Sequence, residues 1–345
     1  MTAPSRVPGR FDRQERFAPL GPTGQARLEG SRVLLVGAGA LGGVLAQTLT
    51  RAGVGTLVIA DRDVVEVTNL PRQVLFEDHH ARTATPKALA AKESLARIGG
   101  PTVVEAHAVH VDASTLDALA QGADLVLDGT DNLTTRYLIN DWCVRAGVPW
   151  VYGGVVSSGG LVLPIRPGKS ACLRCVFPDP PPPGSLPTCD TAGVILPAVG
   201  AIVSLQAGAA LRILGAAPDD DFQPKLVQLD VWTGALMSLA APRRADCPAC
   251  AEGRFEFLDA PAAREPVVLC GRNAVQIAGT GVRPDFAAIA ERCRPVADEL
   301  HELGVMLRLQ VEGAVLTLFP DGRALIEGTD EIDRARALYD RYLGS

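Results

Sequence analysis

Four carboxylates, two cations and three amides stand in this chain at the ends of apolar runs, where a folded sheet would gather them. Asp61 and Asp63 follow Leu57–Ala60, and Asp128, Asp131 and Asn132 follow Leu125–Leu127. The loop after Asp63 holds Asn69, Arg72 and Gln73, with Lys87 beyond it. Ahead of them all comes VLLVGAGALGG, residues 33–43. An apolar strand is expected to turn there, through Gly37, Gly39, Ala40, Leu41 and Gly42, into a helix over 40–52. Glycine lets the backbone approach a ligand with no Cβ in the way, and amides at the new helix N-terminus suit an anionic phosphate. Nineteen residues past Gly42, Asp61 stands where an acceptor for a ribose hydroxyl belongs. Guanidinium is suited to bidentate phosphate recognition, which favours function for Arg72. Lys87 opens a helix on the same side of the sheet as the glycine turn. Four acids beside a phosphate loop would repel a nucleotide unless a divalent cation lay between, and Mg²⁺ held by one or two carboxylates plus phosphates is the ordinary solution. The set therefore reads as a nucleotide site. Taken singly, each member has a plainer meaning: tight packing for the glycines, surface exposure for Gln73 and Lys87, a helix N-cap for Asp131. The glycine fingerprint alone serves NAD as well as ATP.

A second constellation is made of sulfur. Cys172-Leu-Arg-Cys175 and Cys247-Pro-Ala-Cys250 are two C-x-x-C knuckles with 71 residues between them. Together they make a four-thiolate tetrahedral zinc site with no open position, so the metal is expected to be structural. A redox dithiol normally occurs singly, at a helix start. Eight cysteines without an export signal point the same way, to metal or catalytic chemistry rather than a disulfide framework. Cys189 follows a stiff Pro-rich linker at 179–184. Cys270 and Cys293 read as core or surface thiols.

The elements that must position these groups alternate. Strands are expected at 33–36, 57–60, 103–108, 125–128, 150–154 and 160–165, with helices at 40–52, 88–98 and 133–146. That order is a Rossmann-like, doubly wound α/β sheet, whose ligands bind outside the carboxyl ends of the strands. Strands at 226–230 and 234–240 continue it. Beyond a linker at 258–266, a strand at 267–269, a helix over 285–303, strands at 306–311, 314–319 and 324–327 and a helix over 331–342 predict a small α+β unit without a catalytic constellation. Two domains, 1–259 and 260–345, suit the length of 345 residues. The net charge of −6 and pI near 5.5 argue against a general nucleic-acid or membrane surface. Residues 194–214 are apolar over nearly a bilayer's thickness, yet Ser204, Gln206 and Arg212 interrupt them and Pro197 sits near their start. A core or dimer-interface helix is the better reading. The first thirty residues have no apolar leader, so a cytoplasmic protein is expected. Arg13 and Arg16 lie in a polar arm, where arginines are usually solvated.

Arg10-Phe-Asp-Arg13-Gln, the glycine turn, Asp61-Arg-Asp63, Asn69-Leu-Pro-Arg72-Gln73, Lys87, Asp128-Gly-Thr-Asp131-Asn132, Arg136 and both knuckles form a combination that resembles the MoeB/ThiF/HesA family, prokaryotic relatives of ubiquitin-activating enzymes. The resemblance runs from about Arg10 to Phe257. It implies a ThiF/MoeB-type sheet continuing into a mixed, antiparallel part. It also implies ATP- and Mg²⁺-dependent adenylation of the Gly-Gly carboxylate of a small ubiquitin-like sulfur-carrier protein of the MoaD/ThiS type, with release of pyrophosphate. The pathway would be molybdopterin or thiamine synthesis or related sulfur transfer. Asp131 would hold Mg²⁺, Lys87 and Arg72 would meet phosphate oxygens with the amides at Gly39 to Gly42, and Asp61 and Asn69 would hold the ribose and other polar groups of the nucleotide. Arg13 would reach the phosphates of the other subunit of a homodimer. Cys189 matches the cysteine of a mobile crossover loop that takes part in sulfur transfer in some relatives. After residue 260 the chain departs from the family: a rhodanese persulfide loop is not found, and the extra unit is left to bind the carrier or a downstream partner. Two other readings stand beside this one. An NAD-dependent oxidoreductase needs only the glycine turn and Asp61, and a non-catalytic binding module predicts the loss of residues such as Arg13, Arg72, Lys87 and Asp131, all of which are present.

Overall fold

Short apolar runs punctuated by glycine fold into two sheets. A computed structural model describes residues 9–182, 185, 189–217, 221–259, 267–269, 273–279 and 282–344. The first sheet holds β1 (Arg32–Val36), β2 (Thr56–Ala60), β3 (Val103–His107), β4 (Leu125–Asp128), β5 (Trp150–Val156), β6 (Gly159–Ile165), β7 (Lys225–Asp230) and β8 (Ala235–Ala240). Their order is β3-β2-β1-β4-β5-β6-β7-β8, parallel through β5 and antiparallel from there. Strand order reverses between β1 and β4, which makes the crevice beyond their carboxyl ends the binding position of an open α/β sheet. Val33, Leu34 and Leu35 on β1 are fully buried, each worth about 1.5–3 kcal/mol of apolar burial.

The helix Leu196–Gly215 is long and apolar enough to cross a membrane, but half of its apolar window is buried in this fold. It packs on β5, β6 and the helix Ala40–Ala52, so the core reading of that segment holds.

The second sheet holds β9 (Val267–Leu269), β10 (Ala274–Ile277), β11 (Glu299–Glu302), β12 (Leu307–Val311), β13 (Ala314–Leu318) and β14 (Ala324–Glu327), in the order β11-β12-β13-β14-β10-β9. All its pairings are antiparallel. Here one expectation fails: the helix over 285–303 stops at Cys293, and 299–302 is strand β11. Pro295 accounts for it, because proline has no N–H with which to continue the helical hydrogen-bond ladder. β10 has no counterpart among the expected strands. The linker at 258–266 lies, from residue 260 on, outside the described residues, as does Cys270.

The C-terminal sheet lies against the ends of β2 and β3. Val64 and Ala108 from the α/β part cluster with Ala274, Met306, Phe319 and Leu325. Beside this apolar contact, Arg62 donates to His110 Nδ1 (3.2 Å) and to Gln276 Oε1 (3.1 Å). Burial, then the guanidinium groups of Arg62 and Arg323, push His110 down to about 3. Its folded value thus lies below the ordinary 6.5, so its contribution is complete above about pH 6.5 and is lost as pH falls towards about 3. The melting temperature of the wild type should therefore drop more steeply over that window than that of His110→Gln, which keeps an acceptor for Arg62 and cannot protonate. Parallel melting curves would remove His110 as the acid-sensitive group.

Candidate active site

Beyond the carboxyl ends of β2 and β4 lies a cavity of about 440 Å³ lined by Asp63, Asn69, Arg72, Gln73, Lys87 and Asp131, within the size range of small-molecule sites. The backbone explains how they meet. Val64 bridges Pro86, and the Lys87 amide donates to Asp63 O, so the loop after β2 is stitched to the start of the helix Lys87–Ala96. That seam places Lys87 Nζ 3.2 Å from Asp63 Oδ2. Glu66 and Asn69 close a capping box around the short 3₁₀ turn Val67–Asn69. Arg72 then donates to Thr68 O at 2.8 Å. Gln73 is buried, beside Gly39, and its Oε1 has no hydrogen-bond partner among the described residues.

The glycine turn itself is built by packing. Gly37 has φ +91°, and a Cβ on Gly42 would lie 1.9 Å from Gly37 O, so neither position accepts a side chain. Leu41 points into the core. Gly39 is the open member: a Cβ there would have nothing but Gln73 Nε2, at 3.9 Å, near it. Asp61 does not line the cavity: it accepts the amides of Ala38 (2.6 Å) and Asp63 (2.7 Å), locking the glycine turn to the loop after β2. Burial and the Asp63 carboxylate push its pKa up, against Lys87 and those two amides.

Asp128 and Asn132 also stand apart from the cavity, contrary to the expectation that they face a nucleotide. Asp128 is fully buried; its Oδ2 accepts from Arg136 Nε at 2.8 Å and its Oδ1 from Thr130 N at 2.9 Å. Asn132 caps the helix Leu133–Ala146 by accepting from Thr135 N. Both shape the turn that carries Asp131 to the cavity. Arg136 further donates to Thr130 O and Gly153 O and stacks over Tyr152, 5.1 Å from the ring centre. Arg136→Leu would leave Asp128 as an uncompensated buried charge and is expected to destabilise the fold by about 3–5 kcal/mol. Denaturant unfolding measures it, and a change under ~1 kcal/mol would contradict the pairing.

The four knuckle cysteines converge. Sγ separations are 3.9 Å for Cys172–Cys175, 3.5 Å for Cys172–Cys247 and 3.4 Å for Cys175–Cys250. A tetrahedral ion with sulfur at ~2.3 Å separates its ligands by roughly 3.8 Å, so the donor set fits zinc in kind and spacing. The Arg244 amide donates to Cys175 Sγ. Burial pushes the Cys172 thiol up, which disfavours thiolate there unless a cation compensates. A buried web holds the cluster to the α/β part: Asn140 accepts the Leu173 amide, and Arg174 pairs with Asp141 and Glu256.

Arg13 lies far from this cavity within one chain. It is exposed on the short helix Asp12–Glu15, whose neighbour Gln14 donates to Ala52 O. Ala52 ends the 13-residue helix that begins at the glycine turn, so about 20 Å of helix lies between them. Cys189 begins the helix Cys189–Ala192, and its side chain lies outside the described residues.

Arg62, Glu66, Thr68 and, from the second sheet, Arg308, Thr317 and Glu327 also line the cavity. Sequence reasoning missed all six. The alternation in 307–311 was the available signal: it buries Leu307, Leu309 and Val311 and turns Arg308 to the other face.

The ThiF family profile matches residues 11–249. This chain belongs to the ThiF family. Among ThiF-family relatives, the chain is similar to the sulfur carrier protein ThiS adenylyltransferase of Bacillus subtilis (strain 168), at 38% identity over 339 residues, 97% of this chain and 99% of that one. It is 37% identical to the SAMP-activating enzyme E1 of Haloferax volcanii over 72% of this chain and 91% of the relative. The crystal structure of E. coli MccB with MccA-N7isoASN shares the fold, with TM-score 0.61 and 22% identity over 72% of this chain and 75% of that chain. The match to the Bacillus protein takes in nearly the whole chain, so the sequence that forms the C-terminal sheet also has a counterpart there.

Proposed function

We propose that this chain is an adenylyltransferase that uses ATP to activate the C-terminal Gly-Gly carboxylate of a small ubiquitin-like sulfur-carrier protein. The observation that carries the reading is the meeting of Arg72, Lys87 and Asp131 on one cavity beyond the ends of β2 and β4, whose wall residue Gln73 lies beside Gly39 of the glycine turn. The relatives named as sulfur carrier adenylyltransferases support the substrate class. In the reaction a carboxylate oxygen attacks the α-phosphorus of ATP, the bond to the β-phosphate oxygen breaks, and pyrophosphate leaves with an acyl adenylate formed. The carboxylate is already ionised at neutral pH, so no general base is needed. The obstacle is repulsion between two anions. Lys87 and Arg72 offset it on the phosphate oxygens, the amides at Gly39 to Gly42 add donors, and in-line placement does the rest. Asp131 would hold Mg²⁺, which when bound neutralises and orients the phosphates.

Arg13 fits this scheme from a second copy of the chain, since its own copy holds it some 20 Å of helix away; a homodimer follows. The cysteine cluster would hold structural Zn²⁺. Residues 1–259 carry the adenylating fold and 260–345 a second unit packed against it. Carriers of the MoaD or ThiS type, and hence molybdopterin, thiamine or related sulfur transfer, are the candidates, with Cys189 as the residue to take part in the transfer. ATP–pyrophosphate exchange with each Gly-Gly carrier in turn tests the reading. Exchange that requires a carrier supports it; tight NAD binding with no exchange would replace it with an oxidoreductase.

A further inference from the structure

The C-terminal sheet has two unlike faces. One buries Leu307, Leu309, Val311, Leu316 and Leu318 in a core with the helix Phe286–Cys293 and the helix Ile332–Leu338. The other carries a polar row. Arg308, Thr317, Leu325 and Gln276 are direct cross-strand partners on β12, β13, β14 and β10, and cross-strand partners share a face. This face is turned towards the α/β part, where Gln276 meets Arg62 and Phe319 and Leu325 pack with Val64. Arg308, Thr317, Leu325 and Glu327 thereby line the same cavity as Arg72, Lys87 and Asp131.

Two details mark this wall as built for a ligand. Thr317 is 2% exposed and its Oγ1 has no hydrogen-bond partner among the described residues. An orphaned buried hydroxyl of this kind is costly and calls for an explanation. Gln73 Oε1, on the opposite wall, is likewise buried and unpartnered. The second detail is Arg308. Its guanidinium nitrogens stand 3.5 Å from Glu66 and 3.4 Å from Glu327, beyond the ~2.7–2.9 Å of a formed charge-assisted hydrogen bond. The two acids thus hold an arginine at the cavity without saturating its donors.

We infer that the C-terminal sheet is the second wall of the nucleotide pocket, with Arg308 binding the nucleotide's phosphates and the Thr317 hydroxyl hydrogen-bonding the same ligand. The inference rests on the nucleotide reading of the cavity and assigns to the extra unit a role in ATP binding rather than in carrier docking. It also accounts for the apolar seam of Val64, Met306, Phe319 and Leu325, which fixes the wall at one spacing from Lys87.

The test uses the full chain, Mg²⁺-ATP and a carrier that supports exchange. Arg308→Ala should weaken ATP binding by calorimetry, and raise KM for ATP, by about ten- to a hundredfold, with KM for the carrier unchanged. Thr317→Val, which keeps the side-chain shape and so leaves the sheet docked, should weaken ATP by about two- to tenfold. ATP affinity unchanged in both variants would overturn the inference. So would a rise in KM for the carrier alone, which would make this wall a carrier-docking surface. Should the wild type catalyse no exchange while ATP binding still weakens in both variants, the pocket assignment stands and the proposed activity falls.

Discussion

Asp131→Ala is expected to lower ATP–pyrophosphate exchange by about a hundred- to a thousandfold or more, the scale of removing one preorganised electrostatic group from a transition state, while the protein stays folded. Both halves of that result have structural reasons. Asp131 is exposed at the cavity on the turn after β4, so its carboxylate stands where a cation between protein and phosphates would lie. It carries little of the fold, because the helix that follows is capped by Asn132 and the turn is held from beneath by Asp128 and Arg136. Exchange kinetics and a melting curve on the same preparation check the pair of expectations. Wild-type exchange in the variant would remove the Mg²⁺ role, and a large fall in melting temperature would show that the turn depends on Asp131 after all.

Disrupting the cysteine cluster should do the reverse. Chelation, or Cys247→Ser, is expected to destabilise the region around the knuckles first and to affect phosphate chemistry only as a consequence. Structural zinc binding is itself folding free energy, about 10–16 kcal/mol in small zinc modules. Losing even about 5 kcal/mol would lower the melting temperature by roughly 10–20 °C in a domain of this size. The cluster joins segments 75 residues apart, and the web through Asn140, Asp141 and Arg174 carries that join to the helix Leu133–Ala146 and so to the Asp131 turn. Metal content by emission spectroscopy, read against the melting curve, is the measurement. One zinc per chain whose removal destabilises the protein is the expected result. An unchanged melting temperature after complete zinc loss would contradict it.

Much of the site was legible because its signals are local. The glycine turn, the acids after β2 and β4 and the helix opened by Pro86 and Lys87 each sit within a few residues of the feature that positions them, and a doubly wound sheet brings their ends together. What failed was the fate of single side chains at those ends. Asp128 and Asp131 follow the same strand three residues apart, yet the pleat sends one inward to Arg136 and the turn sends the other to the cavity. Composition does not distinguish them. Asp61 reads as a ribose acceptor in sequence, and the fold adds a second duty that the sequence does not show: its two oxygens accept the amides of Ala38 and Asp63, each keeping a further lone pair. In the C-terminal part, helical periodicity runs the expected helix past Pro295, where proline stops it. Arg308 and Thr317 were illegible for another reason: their adjacency exists only once β12 and β13 pair in a particular register, and one residue of slip would turn both away.

In the proposed reaction a protein's terminal carboxylate is the nucleophile on the α-phosphorus of ATP at this cavity. Isotope transfer tests it most directly. A carrier with ¹⁸O at both oxygens of its terminal carboxylate is incubated with the enzyme and ATP, the product is cleaved at the acyl carbon by hydroxylamine, and the AMP is weighed by mass spectrometry. One ¹⁸O in each AMP is the result predicted here. Unlabelled AMP, or AMP formation from a carrier whose C-terminus is amidated, would contradict it.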